Sequence, residues 1–396
     1  MRRLFPAVLS LLLLLTACAP SAPLTDSGAD NTDSSTQSPP PGEAETPPTE
    51  PEEPTPPPDP RQEAVGSLLS SMTLEEKVGQ MFFVRCPEFD AAADVSAYHL
   101  GGYLLFGRDF RDRSASDVTD LLETFQAMAD IPMLIGVDEE GGTVVRLSSN
   151  PSLAPDGKFP SPQRLFAQGG LEAIAADAEK KSALLLGYGI NVNFAPVADV
   201  STDPADFMYD RTFGRDAAAT AEYVSTVVGE MEAAGIGSVL KHFPGYGNNA
   251  DTHTGVAVDE RPMETFEASD FLPFSAGIAA GADSVLVSHN IVTCMDAALP
   301  ASLSPEVHRV LREELGFSGV ILTDDLAMDA VEAYAQDGSV AVLAVLAGND
   351  MVVTTDYRTQ IPLVIQAVED GTIPESTIDQ AVGRVLGWKY DLGLIG

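Results

Sequence analysis

The sequence has few cysteines, few basic residues and no apolar run long enough to span a membrane. Three cysteines in 396 residues cannot build a disulfide scaffold. Lys and Arg together number 22 against 59 Asp and Glu, which gives a formal charge of −37. A chain this acidic repels phosphate backbones and anionic lipid, which excludes nucleic-acid binding and disfavours membrane binding through a surface helix.

The apolar run nearest the amino terminus indicates a signal peptide. It covers residues 4–17, about 14 residues, whereas a membrane-spanning helix needs roughly 20. Arg2 and Arg3 precede this run and Cys18 follows it, which is typical of the core of a secretory signal. We therefore expect an exported protein.

The end of this run indicates the kind of signal. Residues 15–18 read Leu-Thr-Ala-Cys and resemble a bacterial lipoprotein signal, in which the peptide is cut before the cysteine and the cysteine is lipidated. The resemblance implies a signal peptide and lipobox over 1–18. A lipid on Cys18 would hold the mature chain at the extracytoplasmic face of the cell membrane, as its one contact with the membrane. An ordinary secretory signal with an incidental cysteine is the alternative.

Residues 19–60 differ in composition from the rest of the chain. They are nearly all Pro, Ser, Thr, Asp and Glu, with nine acids, no base and no aromatic residue. Such a segment cannot bury enough apolar surface to offset the entropy of ordering. We predict a disordered linker over 19–60 and a single folded domain over 61–396.

Short apolar runs alternate with stretches of helical period across the folded domain. The helical period is clear at Val118, Leu121, Leu122, Phe125 and Met128. Strands that are apolar throughout and alternate with helices indicate a parallel sheet covered by helices, and eight such units favour a (β/α)8 barrel of the TIM type. The predicted strands are 80–85, 102–106, 133–137, 190–196, 238–242, 284–289, 319–323 and 351–354.

The usual sequence signals of a cofactor are missing. No GxGxxG motif follows the first predicted strand, which removes the main indication of a dinucleotide site. No cluster of His, Cys and Asp has metal-ligand spacing, so we expect neither a metal nor another cofactor. Cys86 and Cys294 follow strands that are not neighbours, and we expect both to be buried free thiols.

Polar residues gather where the predicted strands end, which is where a barrel of this kind builds its active site. Bases are scarce, yet Arg146, Arg211 and Lys241 all come shortly after predicted strands. This placement indicates a polar ligand with many hydroxyl or carbonyl groups. The acidic and amide or imidazole residues after strand ends include Asp138, Glu139, Glu140, Asp199, His289, Asn290, Asp324 and Asp325.

Three stretches carry a resemblance to a known family. The string KHFPGYGNNADTHTG at 241–255, with NVNFAPVADV at 191–200 and LPASLSPEVHRVLREELGFSGVILTDDLAM at 299–328, resembles the glycoside hydrolase family 3 β-N-acetylhexosaminidases, including those that recycle muropeptides. The similarity extends over about 71–392. The segment K-H-F-P-G-x-G, followed closely by D-[ST]-H, is typical of the hexosaminidase branch. The resemblance implies a retaining glycosidase.

Glycosidic cleavage needs a carboxylate on one face of the sugar and a proton donor at the leaving oxygen, because its transition state resembles an oxocarbenium ion. Asp324 ends a predicted buried strand that would fix its position. The resemblance implies that Asp324 is the nucleophile. Its alternative role is to cap the following helix, for which Asp325 is better placed.

The resemblance assigns acid/base catalysis to His253, with Asp251 as the partner that orients and polarises its imidazole. The two residues lie two apart in a loop rich in Gly and Asn. A histidine titrates near neutrality, so it can donate a proton to the leaving oxygen and later accept one from water. A solvated loop histidine with no role is the alternative.

The resemblance also implies that five residues hold the sugar ring. The carboxylate of Asp138 would accept hydrogen bonds from hydroxyls, and the donor forks of the arginines suit an oxygen-rich ligand. A structural ion pair is the alternative for the lysine, and direct roles for His289 and Asn290 are left open. The predicted sugar-binding residues are Asp138, Arg146, Arg211, Lys241 and His242.

Together these observations predict a monomeric exo-β-N-acetylglucosaminidase, a β-N-acetylhexosaminidase whose partner is a small carbohydrate. It would hydrolyse terminal β-linked N-acetylglucosamine from peptidoglycan fragments or related oligosaccharides through a covalent glycosyl-enzyme. A β-glucosidase and a β-N-acetylglucosaminide phosphorylase of the same superfamily are alternatives. A tethered lipoprotein that only captures sugars is the alternative from another class.

Overall fold

The computed structural model describes residues 59–249, 257–332, 334 and 340–396. The predicted signal peptide with Cys18, nearly all of the predicted linker, and the Asp251 and His253 pair lie outside these residues. Over the described part of the chain, no helix combines the length and the apolar character needed to cross a bilayer.

Eight parallel strands form the wall of a barrel, as the sequence predicted. Neighbouring strands pair in the order β10-β1-β2-β3-β4-β5-β7-β9, and a bridge between Leu322 and Met351 joins the two outer strands of this order. The wall strands are β1 (Phe82–Arg85), β2 (Gly102–Leu105), β3 (Leu134–Val137), β4 (Val192–Asn193), β5 (Gly237–Phe243), β7 (Ser284–Val287), β9 (Val320–Thr323) and β10 (Val352–Thr354).

Helices separate consecutive wall strands and cover the barrel. The α-helices are α1 (Pro60–Ser71), α2 (Leu74–Gln80), α3 (Ala91–Ala97), α4 (Gly107–Phe110), α5 (Ala115–Met128), α6 (Pro162–Gly187), α7 (Ala217–Ala234), α8 (Met263–Thr265), α9 (Phe271–Ala279), α10 (Pro305–Arg309), α11 (Asp329–Glu332), α12 (Val340–Ala347), α13 (Tyr357–Glu369) and α14 (Glu375–Asp391). Short 3-10 turns cover Tyr209–Arg211 and Ala301–Leu303, and π turns cover Phe266–Asp270 and Val310–Glu314.

Local sequence accounts for the ends of several helices. A capping box of Thr73 with Glu76 starts α2. The side chain of Asp216 accepts a hydrogen bond from the Ala219 amide to start α7, and Gly235 ends that helix at a φ of 74°. These caps satisfy amide and carbonyl groups that have no partner inside the helix.

The core has an inner and an outer layer. Inside the barrel, side chains from the wall strands pack together with Val385 and Trp388 of α14. The outer layer lies between the strands and the helices, where Val118, Leu122 and Phe125 of α5 are buried as their period predicted. A barrel filled in this way is a packed core rather than a pore.

The fourth strand is shorter than its sequence predicted. The prediction covered 190–196, whereas β4 has ladder pairing only at Val192–Asn193. The side-chain amide of Asn191 accepts the Ile135 N–H at 2.7 Å and so replaces part of the backbone ladder. Pro196 has no N–H to donate and interrupts the ladder, which continues beyond it only as an isolated bridge between Val197 and Lys241.

Two further features were not expected from the sequence. A small two-stranded parallel sheet joins β6 (Val258–Asp259) to β8 (Ile291–Val292) outside the barrel wall.

Both Cys86 and Cys294 are free thiols, as predicted, and Cys86 is buried. The prediction that Cys294 is buried was wrong, because it lies on an exposed turn directly after β8.

Candidate active site

A cleft of about 1290 Å³, its open mouth included, lies at the carboxyl ends of the strands. Six of the residues that were assigned from the sequence to catalysis or sugar binding line this one cleft, although they come from five different parts of the chain. They are Asp138, Arg146, Arg211, Lys241, His242 and Asp324.

Lys241, at the end of β5, links two carboxylates below the cleft. Its Nζ lies 2.7 Å from Asp138 Oδ1 and 2.7 Å from Glu140 Oε1. Arg211 completes the chain, because its Nε and Nη2 donate to the two oxygens of Glu140 at 3.0 and 2.7 Å. The lysine therefore has the ion-pair role that was the alternative, while it also lines the cleft.

These contacts keep Glu140 and Arg211 ionised. Burial by itself raises the pKa of Glu140, but the charges of Lys241 and Arg211 outweigh it and hold that pKa well below its usual range. Burial would lower the pKa of Arg211, and the Glu140 carboxylate raises it further than burial lowers it. The charged floor of the cleft therefore consists of Asp138, Lys241, Glu140 and Arg211, which pair with one another.

His242 is held by an acid that the sequence had not singled out for the site. Asp199 Oδ2 lies 2.7 Å from His242 Nδ1 and also accepts the His242 N–H at 3.1 Å. The other oxygen of Asp199 accepts the Tyr246 N–H at 2.7 Å. The imidazole is thereby oriented with Nε2 near the cleft, 3.4 Å from Arg211 Nη2.

Glu139 fixes the segment that carries Arg146. This buried carboxylate accepts the Arg146 and Leu147 N–H groups, each at 2.9 Å, and a hydrogen bond from the Ser148 hydroxyl. Gly141 allows the chain to turn between the two residues, since its φ is 99° and a Cβ there would lie 2.2 Å from the Pro160 oxygen. Arg146 Nη2 then lies 3.6 Å from Asp138 Oδ2.

Asp324 and Asp325 follow β9 and have different surroundings. The Asp324 N–H donates to Val287 O at 2.9 Å, which continues the wall pairing, and its Oδ1 accepts the Asp325 N–H at 2.8 Å. Asp325 Oδ1 accepts the Ala327 N–H at 3.0 Å and so closes a turn. Helix α11 begins only at Asp329, so Asp325 does not cap it, and the side chain of Asp325 closes a turn instead.

His289, whose role was left open, supports this turn from below. It is fully buried, with Nδ1 2.7 Å from Ser302 Oγ and Nε2 3.0 Å from the carbonyl oxygen of Asp325. Asn290 is also fully buried, and neither residue lines the cleft. The position of His289 next to the Asp325 turn indicates that it orients the segment after β9.

Sequence reasoning missed several residues that shape the cleft. Glu140 and Asp199 were noted as polar residues after strand ends but were not assigned to the site. Arg85 at the end of β1 and Phe106 after β2 line the cleft and were not singled out. The scarcity of bases, which pointed to three other cations, is the signal that could have identified Arg85.

One group of metal-ligand type occurs elsewhere in the described residues. Side-chain atoms of Glu76, His99 and Asp130 lie within 4.8 Å of one another. None of the three lines the cleft, and Glu76 already caps α2 through the Thr73 N–H at 2.7 Å. The cleft itself is lined by cations and carboxylates that pair with one another, which is a donor set for a polar organic ligand.

The closed parallel barrel and the polar cleft at the carboxyl ends of its strands are typical of (β/α)8 enzymes. The family model described as the glycosyl hydrolase family 3 N terminal domain matches residues 73–387. The chain belongs to glycosyl hydrolase family 3 and is a glycoside hydrolase.

Relatives and solved structures agree with this membership. A β-hexosaminidase of Xanthomonas campestris pv. campestris is 35% identical over 294 residues, which are 73% of this chain and 87% of the relative. The glycoside hydrolase family 3 β-N-acetylglucosaminidase from Paenibacillus sp. str. FPU-7 superposes with a TM-score of 0.75 at 31% identity. That match covers 82% of this chain and 63% of the Paenibacillus chain, so this chain spans less than two thirds of it. A β-N-acetylhexosaminidase from Beutenbergia cavernae DSM 12333 has a TM-score of 0.72 at 29% identity, over 80% of this chain and 98% of its own.

Proposed function

We propose that this glycoside hydrolase is a retaining exo-β-N-acetylglucosaminidase, which removes terminal β-linked N-acetylglucosamine. The observation that carries the proposal is the position of Asp324, which shares one cleft with Asp138, Lys241 and His242 in a family 3 barrel. Relatives named β-hexosaminidase and β-N-acetylglucosaminidase favour this activity over the β-glucosidase and phosphorylase alternatives. A protein that only captures sugars has no need of a carboxylate fixed at a strand end.

The sugar would be held by the charged floor of the cleft. Asp138 offers carboxylate oxygens to ring hydroxyls, and Lys241 offers ammonium donors that its two acidic partners hold in place at 2.7 Å each. Arg146 and Arg211 present donor forks to further oxygens of the ring. Because these groups are already oriented by one another, the sugar binds without a large cost of ordering the site.

In the first step, an oxygen of Asp324 attacks the anomeric carbon from the face opposite the leaving group. The bond from that carbon to the glycosidic oxygen breaks as His253 donates a proton to the oxygen, which leaves as an alcohol. The electron pair of the broken bond stays on the leaving oxygen. The product of this step is a glycosyl ester of Asp324.

In the second step, water attacks the anomeric carbon and gives a proton to the imidazole of His253. The bond between the sugar and Asp324 breaks, and the carboxylate is restored. Two inversions at one carbon retain the β configuration. The roles of His253 and its partner Asp251 in both steps rest on the sequence, since these residues lie outside the described part of the chain.

The proposed setting is the extracytoplasmic face of the cell membrane. This part of the proposal is supported by the residues of 1–18 and by the acidic, proline-rich composition of 19–60. A lipid on Cys18 and an extended linker would keep the barrel near the cell wall. Peptidoglycan fragments are the substrates that fit this setting.

The experiment that tests the activity compares two chromogenic glycosides, each with and without phosphate. We expect the protein to release nitrophenol from 4-nitrophenyl β-N-acetylglucosaminide and much more slowly from the corresponding β-glucoside. N-Acetylglucosamine should be the product in both buffers. Faster turnover with a sugar phosphate as product would instead establish the phosphorylase, and no turnover between pH 5 and 8 would leave only sugar capture.

The acid/base assignment has its own test. His253→Ala should reduce turnover of a disaccharide far more than turnover of the nitrophenyl glycoside, because nitrophenolate leaves without a proton. The ratio of the two losses is the measurement. Equal losses on both substrates would remove His253 from the acid role.

A further inference from the structure

Four basic side chains line the described cleft, and three of them have acidic partners there. Lys241 and Arg211 pair with Glu140 at 2.7 Å, and Arg146 lies 3.6 Å from Asp138. The fourth, Arg85, makes no side-chain hydrogen bond or ion pair within the part of the chain that the structure describes. The charge of Arg85 is therefore the one that a bound ligand would meet uncompensated.

Arg85 is nevertheless held in place. Its guanidinium carbon lies 4.1 Å from the centre of the Phe106 ring, and its Nε is buried without a hydrogen-bond partner. Arg146 also approaches the ring, at 5.4 Å. A cation packed on an aromatic ring keeps its terminal donors available while it loses much of its freedom.

Asp109, an acid on which the charge of Arg85 acts, already has other partners. The charge of Arg85 contributes to the surroundings of Asp109, whose pKa is raised mainly by burial. Asp109 Oδ2 accepts the Phe106 N–H at 2.7 Å, and its Oδ1 lies 3.6 Å from Arg108 Nε. Asp109 therefore neutralises a different arginine and caps the short helix that carries it.

We propose that Arg85 is an anion subsite of the cleft, and that the saccharides hydrolysed there carry a carboxylate which this arginine binds. Neutral hydroxyls would leave its charge uncompensated, whereas a carboxylate matches the donor fork with two parallel hydrogen bonds. The net charge of −37 supports this assignment, because basic residues are scarce in the chain and an arginine in the cleft without an ion-pair partner among the described residues is therefore unusual. This inference rests on the proposed hydrolysis and specifies its substrate class.

The test uses two disaccharides of the same shape. One is N-acetylglucosamine β-1,4-linked to N-acetylmuramic acid, whose lactyl group carries a carboxylate, and the other is its lactyl carboxamide, which has no charge. We expect wild-type kcat/KM to be at least tenfold higher for the acid, since hydrogen bonds between charged groups are the strong ones. Arg85→Gln should remove that preference by lowering kcat/KM for the acid at least tenfold more than for the amide, and Arg85→Lys should restore part of it.

Arg164→Gln is the matched control. It removes the same charge from an exposed position on α6 and should leave both kcat/KM values unchanged. Equal values for acid and amide in the wild type, or equal losses in Arg85→Gln, would overturn the proposal and make Arg85 a structural cation. Inhibition by inorganic phosphate, together with equal kcat/KM values for the acid and the amide, would also overturn the proposal. Arg85 would then bind a free anion and not a carboxylate of the saccharide.

Binding without turnover separates this inference from the proposed function. Calorimetry on Asp324→Ala should give tighter binding of the acid than of the amide, and the second change Arg85→Gln should abolish the difference. If the wild type hydrolyses neither disaccharide but this difference is present, the hydrolysis has failed while the anion subsite stands. If both disaccharides are hydrolysed at equal rates and bind equally, the subsite has failed while the hydrolysis stands.

Discussion

The two ends of the barrel interior are built from opposite kinds of side chain. At the carboxyl ends of the strands, Lys241 and Glu140 are 2% and 5% exposed and pair with each other. At the amino ends, Trp388 from α14 packs close to Gly237 at the start of β5, where a Cβ would lie 2.9 Å from its ring. Charges that are buried only when paired are useful for holding a polar ligand, whereas apolar filling stabilises the fold.

The contrast shows why the same barrel can be both stable and reactive. Buried ion pairs add little net stability, because desolvation offsets their attraction, but they are costly to break. The apolar end contributes stability without any group that reacts. Changes at the carboxyl end should therefore alter activity most, and changes at the amino end should alter stability most.

The largest expected effect lies at Asp324. Asp324→Asn removes the proposed nucleophile while it keeps an acceptor for the Asp325 N–H, and we expect kcat to fall by about 10⁴-fold or more. Asp325→Asn is the control, because an asparagine oxygen can still accept the Ala327 N–H and close the turn. It should lose less than about tenfold. Similar losses in both variants, measured with the nitrophenyl substrate, would contradict the assignment.

Glu140→Gln should affect both activity and stability. The change leaves Lys241 and Arg211 with less compensating charge, and removing one member of a buried ion pair costs about 3–5 kcal/mol. Urea unfolding and kcat/KM are the measurements. Asp156→Asn breaks an exposed pair with Lys180 and should change the free energy of unfolding by less than about 1 kcal/mol. A Glu140 variant as stable as the Asp156 variant would show that the ion pairs of Glu140 with Lys241 and Arg211 do not contribute to the free energy of unfolding.

Trp388→Ala tests the apolar end of the barrel. We expect a loss of about 3–5 kcal/mol in the free energy of unfolding, because a large cavity forms among buried side chains. The kcat of the folded protein should stay within about twofold of the wild type. Circular dichroism is the suitable probe, since Trp388 is the single tryptophan of the chain. A smaller loss in Trp388→Phe would confirm the cavity as the cause, and a large fall in kcat would contradict the separation of the two ends.

Lys389 gives the amino end a pH dependence. Burial lowers the pKa of this lysine to about 7, and its Nζ lies 2.5 Å from Gln80 Oε1. The unfolded lysine has a pKa near 10.4, so the unfolded state binds more protons between the two values and stability rises as pH rises from about 7 to 10.

Lys389→Met should therefore be more stable than the wild type at pH 7, by about 1–3 kcal/mol. The gain from removing a buried cation is partly offset, because Gln80 loses a hydrogen-bond partner. The advantage should shrink toward pH 10 in urea unfolding. Lys158→Met, at an exposed position, is the control and should show no such trend. An advantage that does not change with pH would show that Lys389 is charged in the folded state at all these values.

The fold was predictable from the sequence to within a few residues. All eight wall strands appear where apolar runs predicted them, because a strand buried on both faces leaves a continuous signal. The prediction was least accurate at β4, where Asn191 replaces part of the backbone pairing and Pro196 interrupts it. A side chain that substitutes for a backbone partner cannot be seen in the pattern of apolar residues.

From the sequence, residues that line the cleft could be named, but not the way in which they pair. Asp138, Lys241 and Asp324 were named before any geometry, because polar residues after barrel strands meet at one end. Glu140 and Asp199 were passed over, since the same run of acids gave no indication of which carboxylate would pair with which cation. Arg85 was missed because no other charged residue stands beside it in the chain.

The sequence by itself determined the barrel, the family and the candidate residues, because apolar period and short motifs are local properties of the chain. The tertiary structure alone decided that Glu140 pairs with Arg211, 71 residues away, and Lys241 with Asp138, 103 residues away. It also decided that Arg85 has no acidic partner among the described residues. Charge compensation is a matter of distance in space, and only the closed barrel fixes those distances.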